Sequence, residues 1–291
     1  MSKYTAPAKV NLHLAITDVN NDGYHGLDTS FVFVDVGDTL DISLADELTL
    51  SCSDTSLNGK KNLVYQVLSA FAIKHNIDQG LHIEINKKLP SQAGLGGGSS
   101  DAATALMVAN KLWQVGCSQD ELIAFAVPFG ADIPCFIYGE VSLAKGIGEQ
   151  LSPFPHHIPT ETIVLAWPGM GVSTAAAFAH FDENYFHALT DESSAAKVRA
   201  RSDDESFVLG YNDLEQSAII LCSPLEDMLS AMRKQSVRAW MSGSGSACVA
   251  LCHSFTEAQS LVDDLTSKAL ASWVHIGHFM PEHPLKEKIG A

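Results

Sequence analysis

A chain of 291 residues with 46% hydrophobic and 18% charged side chains has the material for one large or two ordinary packed domains, which excludes a wholly disordered protein. With 34 acidic against 18 basic residues the formal net charge is −16, so the surface repels a phosphate backbone; Lys87-Lys88 and Arg199-Ala200-Arg201 are too short to form a basic patch, and nucleic acid is excluded as a partner. No apolar run reaches the roughly 18 residues of a membrane span, and the six cysteines, without a CxxC pair, read as small buried hydrophobes in a reducing, cytoplasmic setting with no membrane partner.

In chain order, positions 4–17 alternate, with Val10, Leu12, Leu14 and Ile16 on one face and Lys9, Asn11, His13 and Ala15 on the other, the pattern of a half-buried strand with a polar side. Asn20-Asn21-Asp22-Gly23 reads as a turn. The apolar runs 31–36 and 40–44, joined by Gly37-Asp38, read as a hairpin, and 48–52 as a further strand. Helical spacing appears over 62–75 and alternation over 81–85. A glycine-rich loop follows, and behind it helices are expected over 101–113, 121–127 and 133–138. Pro153, Pro155 and Pro159 around His156-His157 mark a boundary between two halves. The second half reads as strands at 162–167, 237–241, 247–252 and 273–279, with helices at 175–181, 225–234 and 257–270. Interleaved strands and helices with hairpins favour a two-domain α+β protein over a doubly wound sheet.

The loop Pro90-Ser91-Gln92-Ala93-Gly94-Leu95-Gly96-Gly97-Gly98-Ser99-Ser100 is the strongest chemical signal. Glycines without side chains let backbone N–H groups close around an anion, and the following helix offers free donors and the positive end of its dipole. Ser99 or Ser100 is expected to cap that helix and contact phosphate. The loop fits neither GxxxxGK[ST] nor GxGxxG, so it belongs to neither the Walker-type nor the dinucleotide-binding class. Asp101 suits the helix dipole but would repel a polyphosphate unless it points away. Taken singly, Lys9 reads as a snorkelling lysine on a solvent-facing strand, Asp132 as a helix N-cap before Pro134, and Tyr24-His25 as surface residues.

Together these segments say more. Pro7-Ala8-Lys9-Val10-Asn11-Leu12, Asp22-Gly23-Tyr24-His25, the loop from Pro90 to Ser100, Gly130-Ala131-Asp132-Ile133-Pro134 and Ser242-Gly243-Ser244-Gly245, in this order, resemble the GHMP small-molecule kinases. The opening motif and the Gly-Tyr-His turn resemble the branch whose acceptor is a cytidine diphosphate sugar alcohol. The resemblance implies an α+β, two-domain GHMP kinase fold. An N-terminal ribosomal-protein-S5-like α/β domain would span 1–155 and a C-terminal ferredoxin-like α+β domain 156–291, with the active site in the cleft between them.

The resemblance also implies ATP as phosphoryl donor with Mg²⁺, a hydroxyl of the sugar alcohol as acceptor, and room for a homodimer. Asp132 would be the general base, and Lys9 would hold it as the carboxylate and steady developing negative charge. The loop from Pro90 to Ser100 would wrap the ATP phosphates, backed by the Ser242 loop. Tyr24 would stack on the cytosine, His25 would meet its hydrogen-bonding edge, Phe178, after Thr174, would close the sandwich, and Asn11 would lie near the transferred group. The resemblance assigns no metal ligands. The acidic stretch 182–207 matches no motif. A GHMP kinase of homoserine or mevalonate type would keep the loop without needing the base sandwich, and a non-catalytic nucleotide binder would leave the Lys9–Asp132 pair idle. No GxSxG or HExxH occurs, which weighs against a serine hydrolase and a zincin.

Overall fold

The computed structural model describes residues 2–19, 25–184 and 207–286. Two long antiparallel strands, β1 (Ser2–Val19) and β2 (His25–Ala45), form the spine of a seven-stranded sheet. It is completed by β3 (Thr49–Cys52), β4 (Gly80–Asn86), β5 (Ser142–Lys145), β6 (Gln150–Pro153) and the short β11 (Phe279–Met280). A second sheet of four antiparallel strands has the order β10 (Trp273–Gly277), β7 (Thr162–Trp167), β9 (Cys248–Cys252), β8 (Arg238–Met241). The expected turn at positions 20–23 lies outside the described residues, as does most of the acidic stretch.

Helices cover the outer face of each sheet. On the first lie α1 (Leu63–His75), α2 (Gly97–Leu112), α3 (Gln119–Ala126) and α4 (Ile133–Tyr138). On the second lie α5 (Thr174–Asn184), α6 (Glu215–Leu221), α7 (Ser223–Gln235) and α8 (Phe255–Ser267). The inner faces of the two sheets meet in a third core, where Ala8, Val10 and Leu12 of β1 pack with Trp240, Val249 and Leu251. The chain is therefore layered helix–sheet–sheet–helix, and β1 is covered on both sides. The side of β1 that reads as solvent-facing is buried too: Lys9, Asn11 and His13 are almost fully enclosed.

The Gly37-Asp38 hairpin is not formed; β2 runs straight through it. Gly37 is there for close approach, because a Cβ at that position would lie 2.2 Å from the Ala6 carbonyl oxygen. The β1–β2 register shifts beside it, between Pro7 and Ala8. Asp38 is fully buried and accepts from the backbone N–H groups of Lys88 and Leu89. The β5–β6 hairpin and α6 are among the elements invisible to the pattern reading. After β10 the chain returns to the first sheet, where Phe279 and Met280 pair with Val34 and Phe33. All six cysteines are free. Among the described residues no helix is long and apolar enough to cross a membrane.

Candidate active site

The glycine loop enters α2 earlier than its sequence suggests. Gly96, in the left-handed conformation (φ 71°), is the N-cap without a side-chain capping bond, and the helix starts at Gly97. Ser99 and Ser100 lie within the first turn, so neither serine caps it. The first helical bond runs from Ser100 N–H to the Gly96 carbonyl (2.8 Å), which leaves the N–H groups of Gly97, Gly98 and Ser99 without an acceptor in the helix. A Cβ built on Gly98 meets nothing within 4 Å, so this turn opens onto space. Such an end attracts anions.

The loop is pinned from both sheets rather than flexible. Ala93 and Leu95 bury their side chains in the core between the sheets. The Leu95 carbonyl accepts from Lys9 N–H at 3.0 Å, and the Ala93 carbonyl from Ala247 N–H at 2.9 Å. Between them Gly94, at φ 79°, approaches the Ser242 carbonyl so closely that a Cβ would sit 2.4 Å from it. The Ser242 hydroxyl, fully buried, donates to the Gly94 carbonyl (3.2 Å) and accepts from Asn11 N–H (3.1 Å), tying the second glycine loop to β1 and the first loop at once. Ser91 and Gln92 are exposed at the rim, and Pro90 is half-buried.

Lys9 and Asp132, far apart in sequence, meet beside this loop, their Nζ and Oδ2 atoms 3.5 Å apart. The Lys9 side chain is 4% exposed and that of Asp132 39%, so the cation is enclosed while the carboxylate reaches the open side. Enclosing an ammonium requires compensation. Asn11 Oδ1 accepts from Nζ at 2.7 Å, the Phe31 ring lies 5.1 Å from it, and Asp132 supplies the opposing charge. Asp132 stands at the N-cap position of α4 but makes no capping bond there. Gly96 completes the arrangement: a Cβ would press on Lys9 Cγ (3.0 Å) and on Phe136 of α4 (2.9 Å), so only glycine lets the loop lie against both.

Asn11 is buried beneath Lys9 with both ends of its amide engaged, the second through Nδ2 to Thr29 Oγ1 (2.8 Å). Asp101 points away from the open end of α2. On the buried face of α2, it pairs with Lys87 Nζ at 2.7 Å, and the same ammonium contacts Asp38. Burial, only partly offset by Lys87, pushes the Asp101 carboxyl up to about 7.

A second cluster forms where β2 begins. The His25 and Phe178 rings stack with centroids 4.5 Å apart, and His25 Nε2 lies 2.7 Å from Asp182 Oδ1. Thr174, at the start of α5, is 2.9 Å from Ser244 Oγ, so α5 is tied to the second glycine loop. Tyr24 lies outside the described residues. Asp182 is missed by the sequence reading because it carries no local pattern; only folding brings α5 onto the head of β2. Thr29 and Trp240, whose Nε1 donates to the Asn11 carbonyl (2.8 Å), are missed for the same reason.

Two sheets meeting at a pinned glycine loop, an open helix end and a Lys–Asp pair define a small-molecule kinase of the GHMP class. The GHMP kinases N terminal domain matches residues 62–140 and the GHMP kinases C terminal domain residues 200–271. The 4-diphosphocytidyl-2-C-methyl-D-erythritol kinase of Desulfitobacterium hafniense (strain Y51) is 36% identical over 92% of this chain and 93% of its own. The enzyme of the same name from Alcanivorax borkumensis is 35% identical over 89% and 85%. A crystal structure of 4-(cytidine 5'-diphospho)-2C-methyl-D-erythritol kinase superposes with a TM-score of 0.76 at 30% identity, covering 96% of this chain and 99% of the other. L. major mevalonate kinase, 18% identical with a TM-score of 0.69 over 97% and 96% of the chains, shares the fold. The chain belongs to the 4-diphosphocytidyl-2-C-methyl-D-erythritol kinase family.

Proposed function

We propose that this kinase transfers the γ-phosphoryl group of ATP to the 2-hydroxyl of 4-diphosphocytidyl-2-C-methyl-D-erythritol, giving the 2-phosphate, in the non-mevalonate (methylerythritol phosphate) route to isopentenyl diphosphate. The observation that carries the reading is the contact of Lys9 with Asp132 beside the open first turn of α2. An alcohol is a poor nucleophile, and phosphoryl transfer depends on positioning and charge stabilisation. Asp132, the more exposed partner, takes the hydroxyl proton as the oxygen attacks the γ-phosphorus and the bond to the β–γ bridging oxygen breaks, releasing ADP. Lys9, held from three directions, presents a fixed positive charge to the transferring group. The N–H groups of Gly97, Gly98 and Ser99 bind phosphate oxygens, and the segment from Pro90 to Leu95 holds them in place.

Among the described residues no three His, Cys, Asp or Glu side chains gather into a metal cage, and a Mg²⁺ carried on ATP phosphates needs only one or two carboxylates. Such an ion would neutralise charge on the phosphates, and the Asp132 carboxylate is kept for the hydroxyl proton. For the acceptor, Tyr24 and Phe178 take the two faces of the cytosine and His25 its edge. With Nε2 engaged by Asp182, Nδ1 is the ring nitrogen left to meet the base. The halves divide near residue 155, and six free cysteines fit a reducing cytoplasm.

The test is an acceptor panel with ATP, comparing the cytidine diphosphate sugar alcohol with homoserine and mevalonate, and following ADP and a new phosphomonoester by ³¹P NMR. Turnover confined to the cytidine compound is expected. Preference for either of the others would reject the assignment.

A further inference from the structure

We infer that Thr29 is a positioning residue for phosphoryl transfer, its hydroxyl setting the orientation of the Asn11 carboxamide that holds the Lys9 ammonium beside Asp132. The inference rests on the reading that Lys9 and Asp132 perform the chemistry.

Hydrogen-bond direction carries the argument. The Thr29 hydroxyl, buried on β2, donates its one proton to the His13 carbonyl. It therefore has only lone pairs left for Asn11, which lies 2.8 Å away. A group that only accepts must meet the amide through its NH₂ end, and this turns the amide oxygen toward Lys9 Nζ at 2.7 Å. An ammonium only donates, so the opposite orientation would set N–H against N–H and leave Lys9 without its nearest acceptor. The ammonium makes the same demand from its own side, but of the two groups only the Thr29 hydroxyl is anchored to the backbone, through the His13 carbonyl. The Asn11 backbone is fixed by Ser242 and Trp240, but those bonds hold the main chain and leave the side-chain amide free to turn. Lys9 has a long flexible stem, and its contact with Asp132, at 3.5 Å, is too loose to fix the head alone. The order His13 carbonyl, Thr29 hydroxyl, Asn11 amide, Lys9 ammonium is thus a directed chain that ends at the catalytic pair.

Thr29→Val keeps the shape and the strand preference of the residue while removing the hydroxyl. We expect kcat to fall about tenfold or more, with KM for ATP nearly unchanged because the glycine loop is untouched, and Thr29→Ser to restore turnover. In an Asn11→Ala background, Thr29→Val should have no further effect on kcat, since the two act through one path. Thermal melts check that each variant folds; if Thr29→Val does not, Thr29→Cys takes its place in the same cycle. Unchanged kcat in the folded variant, failure of serine to restore it, or an equal loss in the Asn11→Ala background would overturn the inference. Asp132→Asn, run alongside, separates the cases: its loss of activity together with a silent Thr29→Val sinks only the inference, whereas normal turnover by Asp132→Asn removes the parent reading and the inference with it.

Discussion

Asp132 occupies the residue at which α4 begins, yet its carboxylate caps no backbone N–H and lies instead 3.5 Å from the Lys9 ammonium. A helix start that forgoes its cap gives up about 1 kcal/mol, so the side chain is placed for something other than local stability. Asp132→Asn should therefore leave the fold intact and cut kcat by about 10²–10⁴-fold, the range of a lost general base. Steady-state kinetics beside a thermal melt would check both halves. Lys9→Ala should lose comparable turnover but melt lower, because it empties an enclosed site and leaves Asn11 Oδ1 without its donor.

Two nearby glycines should separate nucleotide binding from folding. Gly98 has open space where a Cβ would go, so Gly98→Ala should fold normally and raise KM for ATP by placing a methyl at the anion-facing turn. Gly96 is left-handed and pressed against Lys9 and Phe136, so Gly96→Ala should cost stability, about 1–2 kcal/mol from the backbone alone, with more from the two contacts. Urea titration and ATP titration of the pair should give opposite orders. A lower melting point for Gly98→Ala than for Gly96→Ala would contradict this account.

The proposed cytidine end should have its own signature. Phe178→Ala removes the ring stacked on His25, and Asp182→Ala frees His25 Nε2. Both should raise KM for the cytidine acceptor far more than KM for ATP. For Phe178 the rise should be about tenfold, the scale of a lost base stack of 1–3 kcal/mol. Equal losses for the two substrates would argue against a base site at this cluster.

The parts that could be read from sequence are those whose chemistry is local. Gly94 to Gly98 announce a backbone cradle, and Gly130 to Pro134 announce the start of α4. Other signals are local but ambiguous. Gly37-Asp38 has the composition of a turn, yet in the folded chain Gly37 admits the Ala6 carbonyl and Asp38 is an internal acceptor, both demands set by neighbouring strands. Alternation in β1 marks Lys9, Asn11 and His13 as sharing a side but cannot say that this side is closed over by the rest of the protein. The Thr29–Asn11 bond, the Ser242 bridge and the Asp182–His25 pair depend on contacts between elements remote in sequence, and no periodicity encodes them.

Two buried titratable groups on the outer side of the first sheet predict opposing pH effects on stability. Asp101, on the buried face of α2, has its carboxyl pushed up to about 7 by burial, while burial pushes the His283 imidazole down to about 4. Between about pH 4 and 7 the native state keeps a proton on Asp101 that the unfolded chain, with an ordinary value near 3.8, has released, so this group makes stability fall as pH rises. His283 does the reverse. Below its ordinary value of 6.5 the unfolded chain takes up a proton that the native state refuses until about pH 4, so stability falls as pH drops. The two trends largely offset each other across the shared window. Asp101→Asn removes the first and should leave a stability that climbs from pH 4 to 6.5; His283→Gln removes the second and should leave one that declines from pH 4 to 7. Each slope should amount to a few kcal/mol across the window, since a tenfold change in proton affinity is worth about 1.4 kcal/mol. Urea midpoints measured at half-unit pH steps would show the slopes. Parallel curves for the two variants would mean that neither group titrates where its burial places it.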